Sequence, residues 1–238
     1  MSASYNDYKQ SLQKIADIKY AAAVLQWDQE TYLPAKGNDI RGQQIATLSE
    51  LAHELFTSEK TGALLNELAA KYDLSDSEKR NITLSLEDYN KSKKLPSSFV
   101  RTMSESVNKS YHSWIRARKE NAFSIFEKPL AEIIELKKQE ADLLGFSEHP
   151  YDALMNDYDK GLTVKIVDEL FGSLGPQLLG LYNKIAAKPQ VDNSFLHQHF
   201  PKQQQWDFGI EILKKMQFDF EAGRQDMSEH PFTTNFSS

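Results

Sequence analysis

Apolar residues recur at three- and four-residue intervals along almost the whole chain, the spacing that places them on one face of an α-helix. Leu12, Ile15, Ile18, Ala22 and Leu25 follow this rhythm and predict a long helix from about residue 6 to residue 27. Pro34 and Gly37 end it. A second helix is predicted over 39–56, with Ile40, Ile45, Leu48, Leu51 and Leu55 on its inner side, and a third over 59–71. Ser75 with Glu78 three residues later is a capping box, which starts a fourth helix that stops near Lys94. Pro96 opens a helix over 97–121, since proline is tolerated in a first turn. Further helices are predicted over 126–144, closed by Gly145, over 163–187 and over 202–218. Gly172, Gly175 and Pro176 lie inside the 163–187 segment and predict a kink or break there. Only near the C-terminus, at Phe218, Phe220 and the residues after Gly223, does the pattern admit a minor strand. The predicted class is all-α, about eight helices in a single region over 1–238 with no internal repeat and no linker.

Composition narrows the function without naming it. The 238 residues carry 28 basic and 34 acidic side chains, a net charge of −6, which gives no electrostatic case for nucleic acid or an anionic membrane. No cysteine is present, which removes disulfides and thiolate chemistry and suits a cytoplasmic setting. The opening stretch MSASYNDYKQ lacks the basic and apolar regions of a signal peptide. The longest apolar run, near Tyr20 to Leu25, is far short of the roughly 18 residues of a membrane span.

Several short patterns approach known chemistry and fall short of it. His53-Glu54 opens like the helical zinc motif H-E-x-x-H, but Thr57 stands where the second imidazole is needed, which leaves an ordinary amphipathic helix. His197 and His199 alternate in a polar loop with no third ligand. Counted from Asp157, a calcium loop would need an acid or Asn, a glycine and a glutamate where Gly161, Leu162 and Asp168 stand. The basic run Arg116 to Lys119 beside Tyr111 and Trp114 reads as a solvated helix face. Ser-Glu-His-Pro occurs twice, at 147–150 and 228–231, but the flanking residues are unrelated.

Four stretches together carry a resemblance: AAAVLQWDQETYLP (21–34), RGQQIATLSELAHELFTS (41–58), HPYDALMNDYDKGLT (149–163) and HPFTTNFSS (230–238). In this order and spacing they resemble the amino-terminal half of the carboxypeptidase Taq family, the thermostable HExxH zinc metallocarboxypeptidases. The resemblance spans the whole chain. The family pattern continues with Asp-x-Arg-x-Thr, the HExxH helix and a downstream glutamate, none of which occurs in these 238 residues.

The resemblance implies that the chain is the groove-forming amino-terminal half of a longer metallopeptidase that removes C-terminal residues from peptides. Residues 223–238 would then be a truncated lead-in to the catalytic half. The chain would hold no catalytic residue and no metal ligand and would be inactive alone. His230, Pro231, Phe232 and Thr233 are expected to line the substrate groove. Trp27, Asp28, His149, Pro150, Tyr151 and Asp152 match family motifs and are expected to be structural, with Trp27 a core anchor and Pro150 in the first turn of a helix. Zinc in the parent, a peptide substrate with a free C-terminus and a homodimer are likewise implied. Two other functions are compatible with the residues: a stand-alone helical binding or scaffold module without catalysis, and half of an oligoendopeptidase-like metallopeptidase.

Overall fold

The first element, α1 (Ala3–Thr31), is the longest, and its burial is uneven: Tyr5, Tyr8 and Ile15 are buried, while Val24 is exposed. The structure is a computed structural model, and it describes residues 3–236. A 3₁₀ turn at Ala35–Gly37 leads into α2 (Asn38–Thr57). Then come α3 (Glu59–Ala69), α4 (Asp76–Ser92), α5 (Ser97–Glu120), α6 (Ser124–Leu144), the short α7 (Pro150–Met155), α8 (Val164–Ala186) and α9 (Lys202–Lys215). Helix accounts for 73% of the structure. The helix boundaries follow capping chemistry. Ser58 accepts a bond from the Thr61 amide at the start of α3, and the Ser75–Glu78 capping box opens α4 with both reciprocal bonds in place. Gly145, at φ +78, ends α6 in a conformation that glycine adopts without a Cβ penalty.

The chain divides into two compact units, one reaching to Gly161 and taking in the segment from Ser228 onward, the other Leu162–Met227. In the first unit α2 packs between α1 and α5, and α5 continues against α6. The start of α1 packs with α3 and α4 around a core of Tyr5, Tyr8, Leu65, Leu68, Leu74, Ile82 and Tyr89. Leu65, Leu68 and Ile82 are fully buried, worth about 1.5–3 kcal/mol each. The buried tyrosines keep their polar ends satisfied: Tyr8 Oη lies 2.8 Å from Ser85 Oγ, and Asn81 donates to Tyr5 Oη at 3.2 Å.

The inner face of α2 matches the predicted one in part: Ile45, Leu48 and Leu55 are half-buried. Ile40 and Leu51 are exposed, and the buried positions are Gly42, Ala46 and Ala52. Small residues let the helix axes approach closely, so the contact is made by backbone and short side chains. At Gly42 a Cβ would stand 2.7 Å from Asn108 Oδ1 on α5.

In the second unit, α8 runs unbroken through Gly172, Gly175 and Pro176, where a kink or break was predicted. Its cap is Thr163, which accepts from the Ile166 amide. Leu170, Phe171, Leu178, Leu179, Tyr182 and Ile185 repeat at helical spacing, yet each is more than half exposed. The predicted minor strand beyond Phe218 is also not formed: among the described residues there is no strand. A strand needs a neighbouring extended segment to satisfy its amides and carbonyls, and no partner ladder forms here.

Candidate substrate-groove site

The segment from Ser228 is held by side chains rather than by a sheet. Lys119 Nζ of α5 pairs with Glu229 Oε1 at 2.9 Å, and Arg118 Nη1 donates to the Glu229 carbonyl at 3.3 Å. The His230 imidazole packs against the Trp114 indole, 6.1 Å between ring centroids and tilted by 59°. Arg118 places its guanidinium 5.0 Å from the centroid of the same indole, a cation–π contact. Farther on, Phe236 meets Trp27 of α1 edge to face at 6.5 Å. Within the segment, His230 Nδ1 donates to the Pro231 carbonyl at 2.9 Å, and Ser228 Oγ donates to the His230 carbonyl at 2.7 Å. Pro231, Phe232 and Thr233 are exposed.

Near His230 lie Glu30, which no motif reading singled out, and Tyr111, which the sequence placed beside a solvated helix face. Glu30, near the end of α1, has its carboxyl held above the ordinary range chiefly by burial, opposed by the Gln26 hydrogen bond and by the nearby His230 and Tyr111. Burial, with the charges of Glu30 and Glu229, pushes the Tyr111 phenol up to about 12. Its hydroxyl is sealed from solvent and makes no hydrogen bond of ordinary geometry, although Glu30 is close enough to act on it. Tyr111 stacks toward Trp114 at 5.8 Å. Glu30, Tyr111, Trp114 and His230 thus come from α1, α5 and the segment after Met227. No local pattern links them; only the packing of α1 and α5 on α2 brings them together.

The other motif residues lie in structural settings. Trp27 is half-buried against Tyr32 and Phe236 rather than sunk in the core. Asp28 pairs with Arg41 of α2, Nη1 to Oδ2 2.5 Å. His149 caps α7 by accepting the Tyr151 amide at 3.1 Å, with Pro150 in the first helical turn and Asp152 one residue on from Tyr151. The turn after α7 is tied to α4 by the Lys91–Asp157 ion pair and by Lys160, 3.3 Å from Glu87. His53 points Nε2 at the Leu95 carbonyl, 2.8 Å away, a helix-to-loop strut. Of the basic run, Arg116 stays on the solvated face, whereas Arg118 and Lys119 hold Glu229.

The family model for the carboxypeptidase Taq (M32) metallopeptidases matches residues 7–238. The chain belongs to this family. Carboxypeptidase 1 of Bacillus subtilis (strain 168) is 32% identical over 95% of the chain and 46% of its own length. The crystal structure of BsuCP superposes with a TM-score of 0.94 at 30% identity, covering 99% of the chain and 48% of that protein. The structure of CHT is 51% identical with a TM-score of 0.81, over 99% of the chain and 48% of that protein. The chain therefore spans about half the length of the M32 relatives it matches, and it corresponds to their amino-terminal half. M32 membership implies a divalent metal. Among the described residues no three His, Cys, Asp or Glu side chains converge as a metal site. No helix among the described residues is long and apolar enough to cross a membrane.

Proposed function

We propose that the chain is one wall of the substrate groove of a zinc metallocarboxypeptidase that removes C-terminal residues from peptides. The observation that carries this reading is the packing of His230 on Trp114 of α5 and of Phe236 on Trp27 of α1, on either side of the exposed Pro231, Phe232 and Thr233, in a chain of the M32 family. His230, Pro231, Phe232 and Thr233 form the groove lining, with His230 contributing a hydrogen-bonding nitrogen and Phe232 an apolar surface. Trp27, Asp28, His149, Pro150, Tyr151 and Asp152 brace the elements behind that lining.

A helical wall of this kind acts by binding and exclusion: it admits an unfolded peptide end and orients it, and it keeps folded chains out. The exposed apolar positions of α8 suit coverage by further protein in the assembled enzyme. On this reading the region 1–238 works as one amino-terminal part, with 223–238 leading toward the catalytic half. The chain alone is inactive, and the complete enzyme is a cytoplasmic homodimer that binds neither nucleic acid nor membrane.

The test compares the 238-residue chain with the same coding frame extended through an HExxH segment. The extended protein is expected to release C-terminal amino acids, to stop when the metal is chelated and to recover with zinc. Hydrolysis by the 238 residues alone, or chelator-resistant hydrolysis by the extended protein, would contradict the reading.

A further inference from the structure

His230 sits in a segment with no strand, and its ring is held by one backbone bond, Nδ1 to the Pro231 carbonyl, and by neighbouring side chains. The side-chain supports are few and come from one helix face. Trp114 and Arg118 are four apart on α5 and therefore lie one above the other. The indole receives the imidazole at 6.1 Å, and the guanidinium lies over the same indole at 5.0 Å. Arg118 also holds the carbonyl of Glu229, the residue immediately before His230, while Lys119 holds the Glu229 carboxylate. One turn of α5 thus grips both the ring of His230 and the backbone that carries it. A ring on a flexible loop loses rotamer freedom on binding, and fixing it beforehand reduces that cost.

We propose that Trp114 and Arg118 are positioning residues for His230, holding its ring with Nδ1 turned to the Pro231 carbonyl and leaving Nε2 to hydrogen-bond the backbone of a peptide substrate. The proposal rests on the reading of His230 as a groove residue. It assigns a function to part of the basic run 116–119, which composition alone presents as solvated surface. The charged and titratable groups around the ring are Glu30 from α1, Tyr111, Arg118 and Lys119 from α5, and Glu229 beside it.

The test reads His230 directly, by nuclear magnetic resonance of the histidine-labelled 238-residue chain. An imidazole lying against an indole has ring protons displaced upfield. His197 and His199, both exposed, serve as internal references. The His230 protons are expected upfield of both. Trp114→Ala is expected to abolish the displacement, and Trp114→Phe to retain most of it. Arg118→Gln, at an exposed position that leaves the fold intact, is expected to reduce the displacement, and Arg118→Lys to do so less. It provides the decisive variant if Trp114→Ala fails to fold. His230 resonances that coincide with those of His197 and His199, or that ignore both Trp114→Ala and Arg118→Gln, would overturn the proposal. The readout does not depend on peptide hydrolysis, so it separates positioning from the groove reading. A displaced His230 together with unimpaired hydrolysis by an extended protein carrying His230→Ala would leave the ring held but refute its role toward substrate.

Discussion

Arg41 of α2 reaches back to Asp28 near the end of α1, with Nη1 and Oδ2 2.5 Å apart, and the same nitrogen donates to the Leu25 carbonyl at 3.0 Å. Both side chains are largely withdrawn from water, at 16% and 32% exposure. The pair therefore fixes how the last turn of α1, which carries Trp27 and Glu30, lies against α2. Asp28→Ala leaves a half-buried guanidinium without its carboxylate and is expected to cost about 1–3 kcal/mol. A fall in the urea midpoint with an unchanged slope would show it, and Asp28→Asn should cost less because one hydrogen bond survives.

Two glycines are expected to respond with opposite signs. A Cβ on Gly62 of α3 would strike the Tyr89 ring, with Cζ 2.6 Å away, and that ring is fixed in the core. Gly62→Ala is expected to destabilise by about 1–3 kcal/mol. Around Gly172 of α8 nothing lies within 4 Å. Gly172→Ala there gains helix propensity and is expected to stabilise by about 0.5–1 kcal/mol. Thermal melts of the two variants decide both signs.

Much of the fold was legible because its signals are local. Ser75 and Glu78 announce the start of α4, Gly145 the end of α6 and Pro150 the first turn of α7. The α2 face was legible only in part: periodicity found the half-buried Ile45, Leu48 and Leu55, but it also weighs the exposed Ile40 and Leu51 and overlooks Gly42, Ala46 and Ala52, whose role is close approach. The extended reading after Phe218 failed for a related reason: local alternation cannot supply a ladder partner. The motif stretches led to the His230 segment, but Glu30, Tyr111 and Trp114 carry no mutual signal until α1 and α5 are packed together.

The Tyr111 phenol, pushed up to about 12, predicts an alkaline effect. A phenol with a raised folded-state value contributes stability that is fully present below its ordinary value of 10.0 and is lost as pH rises toward 12. Tyr111→Phe should flatten that decline. Glu30→Gln removes one of the charges that hold the value up, so the Tyr111 titration, followed by carbon resonances of labelled tyrosine, should move down while staying above 10.0, because burial is the larger cause. A titration indifferent to Glu30→Gln would show that the two groups do not interact.

His112 of α5 should act on the acidic side. Burial pushes its imidazole below the ordinary 6.5, against the pull of Asp39. Asn38 Nδ2 is 3.1 Å from Nδ1, while Nε2 is buried with no bond. As pH falls below 6.5 the unfolded chain takes up a proton before the folded one does, so stability declines from there down to the lowered value. His112→Gln is expected to remove this slope from denaturation curves recorded between neutral and mildly acid pH.

As the groove wall of an exopeptidase, this chain would serve an enzyme that acts only on free C-termini. The most direct measurement gives the protein extended through HExxH a pair of peptides identical except for a free or an amidated C-terminus, and gives the same pair to the 238-residue chain alone. Stepwise release of C-terminal residues is expected from the free peptide only, by the extended protein only. Cleavage of the amidated peptide at a comparable rate, or cleavage of either peptide by the chain alone, would contradict that role.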